Sequence, residues 1–116
     1  MTDDLRRAVA YIVARLARSQ DVSAVYDTTA GRYFQFSGEV TSSRVDVYDY
    51  SRGCHLDGTP PSLFDGGAGA FLDLMDRGSK FEGYDYETGA FYEAAVSGST
   101  VSVYDFGTGS EFEYSV

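Results

Sequence analysis

The chain has 116 residues, nine of them basic (eight Arg and one Lys) against eighteen acidic, a net charge of −9 and one cysteine, Cys54. That length suits one domain, 1–116, able to bury its own core, and a lone cysteine excludes an intrachain disulfide or a Cys-rich zinc site and favours a reducing compartment. The acidic balance argues against nucleic acid and anionic membrane surfaces as partners and fits a basic protein.

Residues 4–19 predict an amphipathic helix. Leu5, Ala8, Val9, Ile12, Val13 and Leu16 form one apolar stripe at i, i+3, i+4 spacing. Asp3 or Asp4 is the expected N-cap, and Arg15 and Arg18 complement the C-terminal dipole. Arg6, Arg7, Arg15 and Arg18 lie off the stripe, toward solvent or the acidic body of the protein. A basic amphipathic helix can also lie on a membrane surface, but no apolar run approaches the ~18 residues of a span. The opening Met1-Thr2-Asp3-Asp4 is acidic where a secretory signal is basic. The expectation is a soluble, cytoplasmic protein.

From residue 23 the pattern becomes β. Val45, Val47 and Val101, Val103 alternate with polar and aromatic residues, the period-two signal of half-buried strands. A phrase recurs five times: aromatic, Asp, three variable residues, Gly. Its copies are Tyr26-Asp27 with Gly31, Tyr48-Asp49 with Gly53, Phe64-Asp65 with Gly69, Tyr84-Asp85 with Gly89, and Tyr104-Asp105 with Gly109. The aromatic residues stand 22, 16, 20 and 20 positions apart, room for one β-hairpin per copy and too little for a βαβ unit. Glycine supplies the positive φ that a tight reversal needs, and Asp can accept N–H bonds from residues two or three further on. The five Asp–Gly pairs are therefore expected to build turns rather than a calcium or catalytic carboxylate array. Turns between copies are expected at 38–43, 58–61, 76–79 and 97–100, giving five hairpins over 23–116. Residues 68–76 also admit a short helix, but Leu63-Phe64-Asp65 with Gly69 keeps the phrase in register and favours a hairpin.

Pairing the strands across each turn puts Val25, Phe34, Phe36, Val45, Val47, Leu56, Leu63, Leu72, Leu74, Phe81, Tyr92, Val101, Val103 and Phe112 on one face, the expected core. The other face carries Tyr26, Tyr33, Tyr48, His55, Phe64, Phe71, Tyr84, Phe91 and Tyr104 near the Asp turns. Below them come Gln35, Asp57, Asp73, Glu93 and Glu113. This reads as an aromatic band over a belt of carboxylates. The candidate binding residues are Tyr26, Tyr48, Phe64, Tyr84, Tyr104, Asp57, Asp73, Glu93 and Glu113, facing a protein partner or a second copy of the chain.

Ten strands in a meander leave two unpaired edges unless the sheet closes, so the expected fold is a mainly β up-and-down barrel with the helix as plug or lid. An open solenoid of stacked hairpins is the alternative. The phrase, as in Val47-Tyr48-Asp49-Tyr50-Ser51-Arg52-Gly53 and Val103-Tyr104-Asp105-Phe106-Gly107-Thr108-Gly109, resembles the repeated hairpins of the β-flower proteins. Those are shallow radial barrels related in shape to the tubby-like C-terminal domain, and the resemblance implies a barrel over 24–116. It is also similar to the YD repeats of toxin-encapsulating shells, which place two residues rather than three between Asp and Gly. Tubby-like relatives bind phosphoinositide headgroups through basic residues, and Lys80 is the one lysine here.

Enzymatic chemistry has little to stand on. Cys54 and His55 are the only Cys and His, and neighbours on a strand point to opposite faces, which prevents a nucleophile–base pair. No phosphate-binding, dinucleotide or zinc motif occurs, and no cofactor or metal is expected. The first functional expectation is a non-enzymatic acidic binding module. The others are a small acidic inhibitor of the immunity type and a carrier of an apolar ligand in the barrel.

Overall fold

The computed structural model describes residues 1–18 and 22–116. A helix, α1 (Asp3–Arg18), precedes ten strands: β1 (Ala24–Asp27), β2 (Arg32–Val40), β3 (Val45–Asp49), β4 (Cys54–Thr59), β5 (Ser62–Asp65), β6 (Ala70–Asp76), β7 (Phe81–Asp85), β8 (Ala90–Ser97), β9 (Thr100–Asp105) and β10 (Ser110–Ser115). Each strand pairs antiparallel with the next, and β10 returns to pair with β1 through Tyr26 opposite Ser115 and Asp27 opposite Tyr114. The sheet is thus a closed barrel, which leaves no free edge. Residues 70–76 are strand, not helix, and the predicted last helical residue, 19, lies outside the described residues.

The phrase is a hairpin loop in all five copies. The N–H of Gly31, Gly53, Gly69, Gly89 and Gly109 donates to the carbonyl of the Asp four residues earlier at 2.8–2.9 Å. These glycines hold φ between 67° and 72°, the left-handed region that costs an L-residue about 1–2 kcal/mol.

Inward and outward residues alternate along the strands as predicted. Thirteen of the fourteen expected core residues are buried; Phe112 is half-buried, with the Arg6 guanidinium carbon 3.7 Å over its ring. Tyr114, not expected inside, is buried two residues on. Gly83 takes an inward position opposite Leu74 and Tyr92. A Cβ there would stand 1.8 Å from the Asp73 carbonyl oxygen, the acceptor of the Tyr92 hydroxyl at 2.7 Å.

Helix α1 belongs to the same core as these strand residues. The six residues Val9–Ala14 have no exposed surface, and six consecutive positions cover more than a full turn, so every side of the helix is covered there. The apolar stripe accounts for one side. Ala10, Ala14 and Tyr11 supply the other, with the Tyr11 ring stacked 5.0 Å from Phe36. The cap differs from expectation: Thr2 Oγ1 accepts the Leu5 N–H at 3.2 Å, while Asp3 and Asp4 stand in the first turn and bind Arg6 and Arg7.

Candidate functional site

Two arrangements of charge stand out, one inside the Asp-turn rim and one on the outer wall. The inner one is made by the five phrase aspartates. Asp27, Asp49, Asp65, Asp85 and Asp105 are at most 5% exposed. One oxygen of each serves its own loop. Oδ1 accepts the N–H of Thr29 and Ala30 in the first copy, of Ser51 and Arg52 in the second, and of Gly67, Glu87 and Gly107 in the others, at 2.8–3.3 Å.

The second oxygen faces cations. Arg7 Nε reaches Asp27 at 2.8 Å, and Arg6 Nη1 reaches Asp105 at 3.1 Å. Arg52, from the loop of the second copy, bridges Asp49 at 2.7 Å and Asp65 at 2.9 Å. The Met1 ammonium lies 3.1 Å from Asp105 and 3.8 Å from Asp85, where the Thr88 hydroxyl also donates at 2.6 Å. Burial drives the Asp27 carboxyl upward, but the Arg7 bond, the Ala30 and Thr29 N–H groups and the Arg7 charge outweigh it and hold it below the usual carboxylate range. Asp105 is lowered likewise: burial opposes, and the Met1 ammonium, the Gly107 N–H and Arg6 prevail. Burial and the neighbouring Asp27 charge push the Tyr114 phenol up to about 12. The aspartates are thus saturated by the protein's own groups, and among the described residues no cluster of three or more His, Cys, Asp or Glu is placed to hold a metal ion. Of the two settings the sequence left open for Arg6 and Arg7, solvent or the acidic body, the structure shows the acidic body. Arg52 was not anticipated: it is one of the variable residues of the second phrase, and no other copy has an arginine at that position.

The outer arrangement contains the predicted binding residues. Within the hairpins the phrase aromatic meets an aromatic partner across the strands: Tyr26 with Tyr33, Phe64 with Phe71 and Tyr84 with Phe91, each pair edge-to-face with centroids 4.7–5.1 Å apart. Tyr48 packs in the same way on His55, whereas Tyr104 faces Glu111. The residue after Asp adds Tyr50, Tyr86 and Phe106, all exposed and packed edge-on against Tyr48, Tyr84 and Tyr104.

The carboxylates do not form a separate belt beneath this band. Asp57 lies directly across from Phe64, Asp73 from Tyr84 and Glu93 from Tyr104. The two-level picture treated the hairpins as level, whereas strands in a closed barrel tilt and stagger, so the acid of one hairpin meets the aromatic of the next. Aromatic and acidic groups therefore interleave around the wall. Glu113 is exposed on β10 and lies apart from these acid–aromatic pairs, opposite Ser102. The clefts gather the rest unequally. One of about 460 Å³ brings together Asp73, Tyr84 and Glu93 with Met75, Glu82, Phe91 and Phe106. A second, of about 270 Å³, joins Asp57 and Phe64 with Phe71 and Arg44. Tyr26 and Tyr48 line neither.

Scans of protein-family models, curated proteins and solved structures give no significant match to this chain. Among the described residues no helix is long and apolar enough to cross a membrane.

Proposed function

We propose that the protein is a non-enzymatic binding module that engages a basic protein partner through its outer aromatic–acidic wall. The observation that carries this reading is the interleaving: Asp57, Asp73 and Glu93 face Phe64, Tyr84 and Tyr104 across the strands, and the exposed rings Phe71 (56%) and Phe91 (65%) stand two residues from Asp73 and Glu93 along β6 and β8. Rings supply apolar contact area and carboxylates select for cations, the composition of a partner surface rather than of a second core. A net charge of −9 favours a basic partner over a second copy of the same chain. The single thiol of Cys54 supports a reducing compartment such as the cytoplasm.

The reading of a lumen carrier loses support from the packing. Over Val9–Ala14 the helix is covered on all sides, and it shares one core with the inward side chains, which favours a plug over a lid above a ligand. The ring of five hairpins supports placing the chain beside the β-flower proteins; a crystal structure in which the barrel proved open would remove that placing.

The test is a peptide array probed with the labelled protein. Bound peptides should be enriched in Arg and Lys, and Phe71→Ser with Phe91→Ser should weaken binding about tenfold, as loss of an interface hot spot does, with the thermal midpoint retained. Binding indifferent to peptide charge, or unchanged in the double variant, would reject the reading.

A further inference from the structure

Two rows of outward side chains cross β6, β7 and β8. The upper row runs Asp73, Tyr84, Phe91 through cross-strand pairs and continues to Phe106, whose N–H donates to the Phe91 carbonyl at 3.0 Å. The lower row runs Met75, Glu82, Glu93. The 460 Å³ cleft lies between these rows, within the size range of sites that hold a small ligand or a single side chain.

The charges of this cleft are only partly offset. Glu82 and Glu93 stand directly opposite one another, a like-charge pair that destabilises a sheet unless cations intervene. The exposed β6–β7 turn supplies two: Arg77 Nε lies 2.7 Å from Glu82, and Lys80 Nζ lies 2.9 Å from Glu93. Asp73 accepts the Tyr86 hydroxyl at 2.9 Å. Three carboxylates thus face two cations, beside three aromatic walls. The site already shows that an ammonium group reaches Glu93.

The inner rim shows which cation such a pairing of ring and carboxylate suits. Arg7 lies with its guanidinium carbon 3.7 Å over the Phe34 ring while its Nε binds Asp27. Arg6 lies 3.7 Å over Phe112 while its Nη1 binds Asp105. Twice, then, a guanidinium sits over a ring while bonding a carboxylate. The outer cleft offers the same two components, Phe91 and Glu93, two residues apart on the outward face of β8. A guanidinium is planar and weakly hydrated, and it stacks on rings while bonding carboxylates in its plane, which an ammonium cannot do.

We propose that the cleft over β6–β8 binds one arginine side chain of the partner protein, stacked on Phe91 and bonded to Glu93. This rests on the reading of the outer wall as a protein-binding surface. The probe is the capped tripeptide acetyl-Gly-Arg-Gly-amide, titrated into ¹⁵N-labelled protein alongside its lysine and citrulline versions. The arginine peptide should shift the amides of Tyr84, Phe91 and Glu93 saturably. Lysine should bind about threefold or more weakly, and citrulline, the neutral isostere, should give no saturable shift. Phe91→Ala and Glu93→Gln should each weaken the arginine peptide about fivefold, and Lys80→Ala should tighten it by freeing Glu93. Ser42→Ala, in the exposed turn between β2 and β3, should change nothing.

Citrulline binding as well as arginine, or shifts centred on Tyr26 and Tyr33, would overturn the cleft assignment. Basic peptides that still bind from the array, with a footprint elsewhere on the wall, would leave the general reading standing while this one falls. An array without preference for basic sequences would remove both.

Discussion

At one rim of the barrel five loops repeat a single geometry; at the other, four turns are closed in several ways. The Asp-turn rim carries five buried carboxylates, each tied to its own loop by one oxygen. The opposite rim reverses the chain by different means. Thr41 closes on Arg44 through its N–H and its hydroxyl, and the Asp76–Lys80 turn uses the Asp76 carboxylate and the Arg77 N–H. The Thr59–Ser62 connection carries Pro60 and Pro61, and the last turn pivots on Gly98. These four turns are largely exposed. The contrast teaches what the repeat is for. A reversal alone tolerates many solutions. A buried charge tolerates few, because it needs several donors aimed at it and a cation beside it.

The largest break should follow from Asp105→Asn. This residue is fully buried, accepts the Gly107 N–H at 2.8 Å, and faces both Arg6 and the Met1 ammonium at 3.1 Å. The amide keeps the shape but strands buried cations, a loss of about 3–5 kcal/mol, read as a lower urea midpoint. Asp76→Asn on the exposed opposite rim is the control and should stay within about 0.5 kcal/mol. Acid should act on the native protein in the same direction. Asp27 and Asp105 have folded values below their unfolded ones. Their contribution is therefore complete above the unfolded carboxylate value of about 3.9. It is lost as pH falls through the folded values. A stability profile flat from pH 5 down to 2, or one as steep in Asp105→Asn as in the native chain, would show that the inner ring carries no net stability.

A smaller effect separates backbone from charge. Gly89 at the Asp-turn rim and Gly98 at the other both hold positive φ, 72° and 59°, and a Cβ at either meets at most the Tyr84 hydroxyl, 3.5 Å from Gly89. Alanine should cost about 1–2 kcal/mol at both. Equal losses would locate the difference between the rims in the aspartates, not in the turns. A much larger loss at Gly89 would mean that loop geometry and carboxylate are inseparable.

The fold was largely legible because its signals are local. The Asp–Gly phrase specifies a turn within six residues, and period-two alternation assigns each strand a face, so Val45, Val47, Leu72, Leu74, Val101 and Val103 could be placed inside. What was not legible depends on three-dimensional closure. The stagger that brings Asp73 to Tyr84 and Glu93 to Tyr104 accumulates around the barrel and is absent from any one hairpin. The same holds for Arg6 and Arg7. The helical stripe marks them as polar, and only the seating of α1 among the strands turns them toward Asp105 and Asp27. The outer cleft was half visible: Asp73, Tyr84 and Glu93 could be named, but Glu82, Met75 and Phe106 join them only through neighbouring strands.

The least effect should come from Arg44→Ala, although on paper it removes two ion pairs. Arg44 Nε lies 2.9 Å from Glu39 and its Nη2 3.6 Å from Asp46, but all three side chains are well exposed. Water screens such pairs, and ordering the side chains offsets most of the attraction, so the change should be under about 0.5 kcal/mol and fade further in salt. Arg52 offers the contrast with a similar pair of distances, 2.7 and 2.9 Å, to partners that are 2–3% exposed. There the same truncation leaves two buried carboxylates without their cation. If Arg44→Ala proved as costly as Arg52→Ala in the same urea titration, burial would not be what distinguishes the two rims, and the five-fold repetition of the Asp turn would need another cause.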